Sequence, residues 1–196
     1  MNAKIRNLAL GFLFFTTSTA LHPQGIGKTF KPVFTEDGLI VAAAVATDAP
    51  WNADPTGKSD ASVAIQQALE AVRKAGGGTL FLPAGRYRIE KSIQMPATVT
   101  LCGEWRPPMP GQPLSGTILL ALAEKGNENG PALLSAPKLG HAYLWGLTIY
   151  NPEQRPDAPV PYPYAIEGRV AYVRNITLVN SWQGVPMSRL PSGAIA

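Results

Sequence analysis

The chain has 196 residues, 17 Lys and Arg against 13 Asp and Glu, one Cys, and 45% hydrophobic residues. A charged fraction of only 15% excludes a disordered chain, and the length suits one domain or part of a larger one. A single Cys excludes an internal disulfide framework, while 19 Gly and 19 Pro suit many short strands and turns better than a helical bundle.

Lys4 and Arg6 precede an apolar run from Leu8 to Phe15, and Thr16-Thr17-Ser18-Thr19-Ala20 follows. This pattern predicts a secretory signal over residues 1–20, cleaved near Ala20. The run is too short to cross a bilayer, which takes about 20 apolar residues. Without Lys4 and Arg6 there remain 15 basic and 13 acidic residues, so the formal charge falls from +4 to +2. The basic balance therefore belongs largely to the export signal. A nucleic-acid partner, which needs a basic stripe, is not expected, nor is a membrane span after cleavage. The expected location is secreted or periplasmic. Oligomeric state has no signal in the sequence.

Residues 21–47 form a lead segment in which Ile40 to Ala46 is apolar, as a first strand or a capping stretch; no period decides between them. Asp48 to Lys58 reads as a loop of turn formers. A helix is predicted from Ser59 or Asp60, either of which can accept hydrogen bonds from first-turn amides. Ala61, Ala64, Ile65, Ala68, Leu69 and Val72 give it one apolar face, with Arg73 and Lys74 in its last turn. Gly76-Gly77-Gly78 ends it. Short strands are then predicted at 79–82, 87–89, 92–95, 99–102, 117–122 and 132–134, with a protruding Pro-rich loop over 105–116. Cys102, after Val99-Thr100-Leu101, reads as a small buried residue rather than a reactive thiol.

An internal repeat decides the architecture. Ala142-Tyr143-Leu144-Trp145-Gly146-Leu147-Thr148-Ile149-Tyr150-Asn151 aligns without gaps to Ala171-Tyr172-Val173-Arg174-Asn175-Ile176-Thr177-Leu178-Val179-Asn180, at an offset of 29 residues. Each copy reads as strand, tight turn at Trp145-Gly146 or Arg174-Asn175, and second strand. Stacking the copies puts Leu147 over Ile176, Ile149 over Leu178 and Asn151 over Asn180, where side-chain amides can hydrogen-bond along the axis. One coil cannot bury its apolar face alone. The predicted fold is an all-β solenoid, a single-stranded parallel β-helix.

Asp54-Pro55-Thr56-Gly57-Lys58-Ser59-Asp60, Ala64-Ile65-Gln66-Gln67-Ala68, Ala75-Gly76-Gly77-Gly78-Thr79 and Pro83-Ala84-Gly85-Arg86-Tyr87 stand in order, followed by Val99 to Glu104. This run resembles the N-terminal segment of the pectate-lyase-like right-handed β-helix superfamily, shared by rhamnogalacturonases, polygalacturonase-related hydrolases and some uronate epimerases. The resemblance implies a right-handed coil with an N-terminal capping α-helix, and residues 48–196 as the N-terminal part of that domain. The acidic motifs of the hydrolases are missing: there is no Asp-Asp and no Arg-x-Lys, Asn52-Ala53-Asp54 precedes the helix, and Gly140-His141-Ala142 is incomplete. No catalytic residue is assigned, and the catalytic coils are expected beyond Ala196. With His22 and His141 as the two histidines, no metal site is expected, and nothing gathers ligands for the calcium found in some lyases of the superfamily. No cofactor is expected. Gly57-Lys58-Ser59 and Gly27-Lys28-Thr29 lack the leading glycine of a phosphate loop.

Between the repeat copies, Tyr150 to Asp157, Pro161-Tyr162-Pro163-Tyr164 and Glu167-Gly168-Arg169 form an aromatic and charged loop. Aromatic faces pack on sugar rings and Arg pairs bidentately with uronate carboxylates. The substrate-binding candidates are Glu153, Arg155, Tyr162, Tyr164 and Arg169, with Trp145 at the turn as a second stacking position. The competing reading has the loop packing on the flank, its tyrosines covering apolar surface. The expected function is a secreted carbohydrate-active protein acting on a pectin-like or other polyuronate as lyase or glycoside hydrolase. The alternative is a non-catalytic β-helix, for glycan binding or a tailspike-like structural role.

Overall fold

A computed structural model of the chain describes residues 28–30 and 39–186; the expected signal over 1–20 lies outside the described residues. β1 (Lys28–Phe30) and β2 (Ile40–Ala42) pair antiparallel, and the remaining strand pairs are parallel. The chain continues through β3 (Ala44–Val45), β4 (Thr56–Asp60), α1 (Ser62–Lys74), β5 (Gly78–Leu82), β6 (Gly85–Ile89) and β7 (Ile93–Gln94). It then forms β8 (Val99–Gly103), β9 (Thr117–Ala121), β10 (Leu134–Ser135), β11 (Ala142–Tyr150), β12 (Ile166–Glu167) and β13 (Val170–Val179).

Three ladders run along one stack. The first joins β3, β5, β8 and the leading halves of β11 and β13. The second joins β4, β6, β9 and the trailing halves of β11 and β13. A third joins β7, β10 and β12. In the second ladder Thr148 lies beside Ile118 and Thr177 beside Thr148, steps of 30 and 29 residues. From Thr100 to Tyr143 the step is 43, because that coil also carries the 104–116 loop after β8. The expected pairs Leu147–Ile176 and Ile149–Leu178 stand in register.

Because strand side chains alternate, one column of each ladder points inward. Leu80, Leu101 and Leu144 form the first column, Tyr87, Leu119 and Ile149 the second, and Ile93, Leu134 and Ile166 the third. All nine are fully buried, each contributing about 1.5–3 kcal/mol of transfer free energy. The Tyr87 hydroxyl is satisfied by donating to the Pro83 carbonyl at 2.9 Å.

At Gly146 the corner between the first two ladders leaves no room for a side chain. Gly146 has φ +75° and Asn175, one coil on, φ +51°. A Cβ on Gly146 would stand 2.4 Å from the Gly103 carbonyl oxygen. Left-handed backbone at both positions is what turns β11 and β13 without breaking the ladder, and Gly and Asn accept it at least cost. The expected Asn151–Asn180 amide ladder is replaced by another contact. Asn151 is buried and donates from Nδ2 to the Ala121 carbonyl at 3.5 Å, while Asn180 is exposed with φ +55°.

α1 begins at Ser62, later than expected, because Thr56–Asp60 pairs with β6 instead of staying a loop. Asp54 holds that strand's turn: its carboxylate accepts from the amides and hydroxyls of Thr56 and Ser59 at 2.7–2.9 Å. Asp60 accepts from the Ser62 amide at 2.9 Å and from its hydroxyl, while Ser62 Oγ accepts from the amides of Glu90 and Lys91. The helix occupies the place in the first coil where the later coils put a third-ladder strand, between β4 and β5. Gln66 replaces part of that strand. Its Nε2 donates to the Gln94 carbonyl at 3.0 Å and its Oε1 accepts from the Gln94 amide at 2.8 Å, pairing the edge of β7.

The apolar lead segment becomes the β1–β2 hairpin plus β3. The hairpin covers the outward column Val45, Phe81 and Cys102, with Phe30 stacked on Phe81 at 4.0 Å. Cys102 is buried as expected, and burial pushes its thiol up to about 12. No described helix is long and apolar enough to cross a membrane.

Candidate functional site

The corner leading into the third ladder is where successive coils spend their extra residues. Three loops stack there: 122–133, 151–165 and 180–184. Backbone bonds tie them, from the Gly126 amide to the Pro161 carbonyl at 2.8 Å, Leu133 to Tyr164 at 3.0 Å, and Ala165 to Gln183 at 3.1 Å. Side chains tie them as well. Lys125 pairs with Glu153, and Glu128 accepts from Trp182 Nε1 at 3.2 Å. Beside these loops lies the outward row Gln94, Ser135 and Glu167 of the third ladder, in register across three coils.

Glu153, Tyr162 and Tyr164 come together here. Tyr162 and Tyr164 line a small pocket with Asn151, Ser181 and Ile149. Tyr162 is 2% exposed, so its ring offers no face to a sugar. Among the described residues its buried hydroxyl has no hydrogen-bond partner. Burial foremost, and then the Glu153 carboxylate, raises the Tyr162 phenol above the ordinary range. Tyr164 is half-buried and bridges to Gln183. The hydrogen bond that Lys125 donates to the Glu153 carboxylate raises the Lys125 ammonium above its ordinary range.

The other candidates lie apart. Arg155 is at the exposed loop tip, held bidentately by Asp157 at 3.2 and 3.0 Å. Arg169 is exposed just before β13, on the far side of the third ladder from the corner loops. Trp145 is half-buried on the outward side of the first ladder, packed on the hairpin cluster, with the Arg174 guanidinium carbon 5.7 Å from its ring centroid. Sequence reasoning missed Lys125, Glu128 and Trp182. The coil step would have found Lys125: 28 residues back from Glu153 is the same corner of the preceding coil. Among the described residues no group of three or more His, Cys, Asp or Glu is placed to hold a metal ion.

Residues 49–133 match the profile of the family described as rhamnogalacturonase A/epimerase, pectate lyase-like. Alginate lyase 7 of Azotobacter vinelandii is 51% identical over 39 residues, 20% of this chain and 5% of the lyase. Mannuronan C5-epimerase AlgE3 of the same organism is 58% identical over 33 residues, 17% of this chain and 2% of the epimerase. The matches thus span a small part of these relatives. The A-module of Azotobacter vinelandii mannuronan C-5 epimerase AlgE4 shares the fold, with a TM-score of 0.56 at 19% identity over 72% of this chain and 40% of that one. The resemblance carried by the motifs from Asp54 to Glu104 therefore holds: residues 49–133 match the pectate-lyase-like family, and the stacked parallel coils share the fold of the epimerase A-module.

Proposed function

We propose that this chain is part of a secreted or periplasmic protein that acts on a polyuronate, binding it along the third ladder and the corner loops beside it. The observation that carries this reading is the stack of three loops bringing Lys125, Tyr164 and Trp182 to one flank of the coil. A cation and aromatic side chains carried on one stack of loops suit an acidic sugar, whose carboxylate takes the cation and whose ring packs on apolar faces. The segment shared with an alginate lyase and mannuronan epimerases supports mannuronate as the sugar. The signal-like first twenty residues support export.

These residues fit the binding of a uronate carboxylate, which serves the C5 proton removal that elimination and C5 inversion share, better than they fit hydrolysis. Hydrolysis needs a protonated carboxylic acid beside the glycosidic oxygen. The corner carboxylates are engaged elsewhere: Glu124 with Asn127, Glu128 with Trp182, Glu153 with Lys125 and Asp157 with Arg155. Lys125 would exchange its Glu153 partner for the uronate carboxylate, and neutralising that carboxylate makes the adjacent C–H more acidic, which is the contribution these residues offer.

The test is incubation of the full chain with mannuronan, following ultraviolet absorbance of an unsaturated product and NMR of C5 inversion. Lys125→Ala is expected to weaken binding about tenfold, as loss of one charge-assisted contact does. No binding of any uronate polymer would end the proposal.

A further inference from the structure

We infer that the outward face of the first ladder, at Tyr143, Tyr172, Trp145 and Arg174, is a second polyuronate-binding surface, separate from the corner loops. The inference takes its ligand class from the function proposed above; its location rests on different residues. Tyr143 and Tyr172 are partners in register on adjacent coils, whose strands stand about 4.8 Å apart along the stack. Both are open to solvent, at 37% and 45% exposure. Their column continues through Thr100 and Thr79, giving a row of hydroxyls and phenol rings parallel to the stack axis. Two residues along the same strands, Trp145 and Arg174 are likewise in register, with the guanidinium over the indole.

This face differs from its own continuation. Over Val45, Phe81 and Cys102 the β1–β2 hairpin seals it with Phe30, Ile40 and Ala42, whereas the two tyrosines stay exposed beyond that cover. Its charge suits an anion: β3, β5, β8, β11 and β13 contain no Asp or Glu, and Arg174 is their single charged residue. One cation is too few for nucleic acid, whose affinity rests on many phosphate contacts. An extended polyuronate fits: its sugar faces stack on the tyrosines of successive coils, and its carboxylates meet the positive charge of Arg174.

The experiment is affinity electrophoresis of the full chain in mannuronan and in the same polymer with its carboxyls reduced. Tyr143→Ala with Tyr172→Ala is expected to weaken mannuronan binding about tenfold without moving the melting midpoint, and the paired Tyr→Phe changes to preserve it. Arg174→Gln is expected to weaken binding to mannuronan and leave the reduced polymer unaffected. Full affinity in the double Ala variant alongside loss in Lys125→Ala overturns this surface and spares the corner site. A wild-type dimer in sedimentation, broken by the double Ala variant, overturns it too by making the face a contact between copies. No binding by the wild type overturns the ligand class for both.

Discussion

Gln66→Ala removes the two hydrogen bonds that pair the edge of β7, of 3.0 and 2.8 Å. A net hydrogen bond contributes about 0.5–1.5 kcal/mol, so the pair supplies about 1–3 kcal/mol. Gln94 is exposed, and water can partly replace the lost partner, which places the expected loss in the lower half, about 1–2 kcal/mol. For a chain of this size that is a fall in Tm of about 2–8 °C. Urea unfolding followed by circular dichroism should show a lower midpoint at unchanged slope, since the surface exposed on unfolding is the same. Gln67, one residue on and exposed, is the control, with an expected change within about 0.5 kcal/mol. Equal effects at the two positions, or none at Gln66, would refute the idea that α1 closes the third ladder through that side chain.

The Asp54 carboxyl is held well below the ordinary carboxylate range, by the Thr56 hydroxyl first and then by the Ser59 and Thr56 amides. Since its native value is depressed, its contribution is full above the unfolded value of about 3.9 and is lost as pH falls below that. A melting-temperature series should therefore drop more steeply below about pH 4 in the wild type than in Asp54→Asn, which should be less stable at neutral pH. Gly146→Ala forces a Cβ to 2.4 Å from the Gly103 carbonyl at φ +75°, and should cost at least about 1–3 kcal/mol in chemical denaturation. Ile149→Ala, at a fully buried position between Leu119 and Leu178, should cost about 2–5 kcal/mol, and Leu178→Ala, half-buried in β13, distinctly less.

What the sequence revealed was whatever repeats or alternates. The 29-residue offset placed Leu147 and Ile149 on their partners because apolar columns must stay in register to be buried. The helix face was legible from Ile65, Ala68, Leu69 and Val72, all buried. Features set by distant partners were not. Thr56–Asp60 looks like a loop until β6 pairs with it, and the two- and three-residue strands before Asp48 have no period to read. Gln66 belongs to a recognisable motif, yet its purpose appears only when Gln94 arrives beside it. The candidate site divided for the same reason. Trp145 and Tyr162 lie close in sequence, but strand alternation and the coil send one to the outer face of the first ladder and the other into the third corner.

The central claim is that this stack of coils receives a polymer through its carboxylates. Calorimetric titration of the full chain with mannuronan oligomers, beside the same oligomers reduced at their carboxyls, tests it most directly. The account predicts saturable binding of the acidic oligomers that weakens as salt rises, and far weaker binding of the reduced ones. Equal affinity for both, or heat from neither, would contradict it.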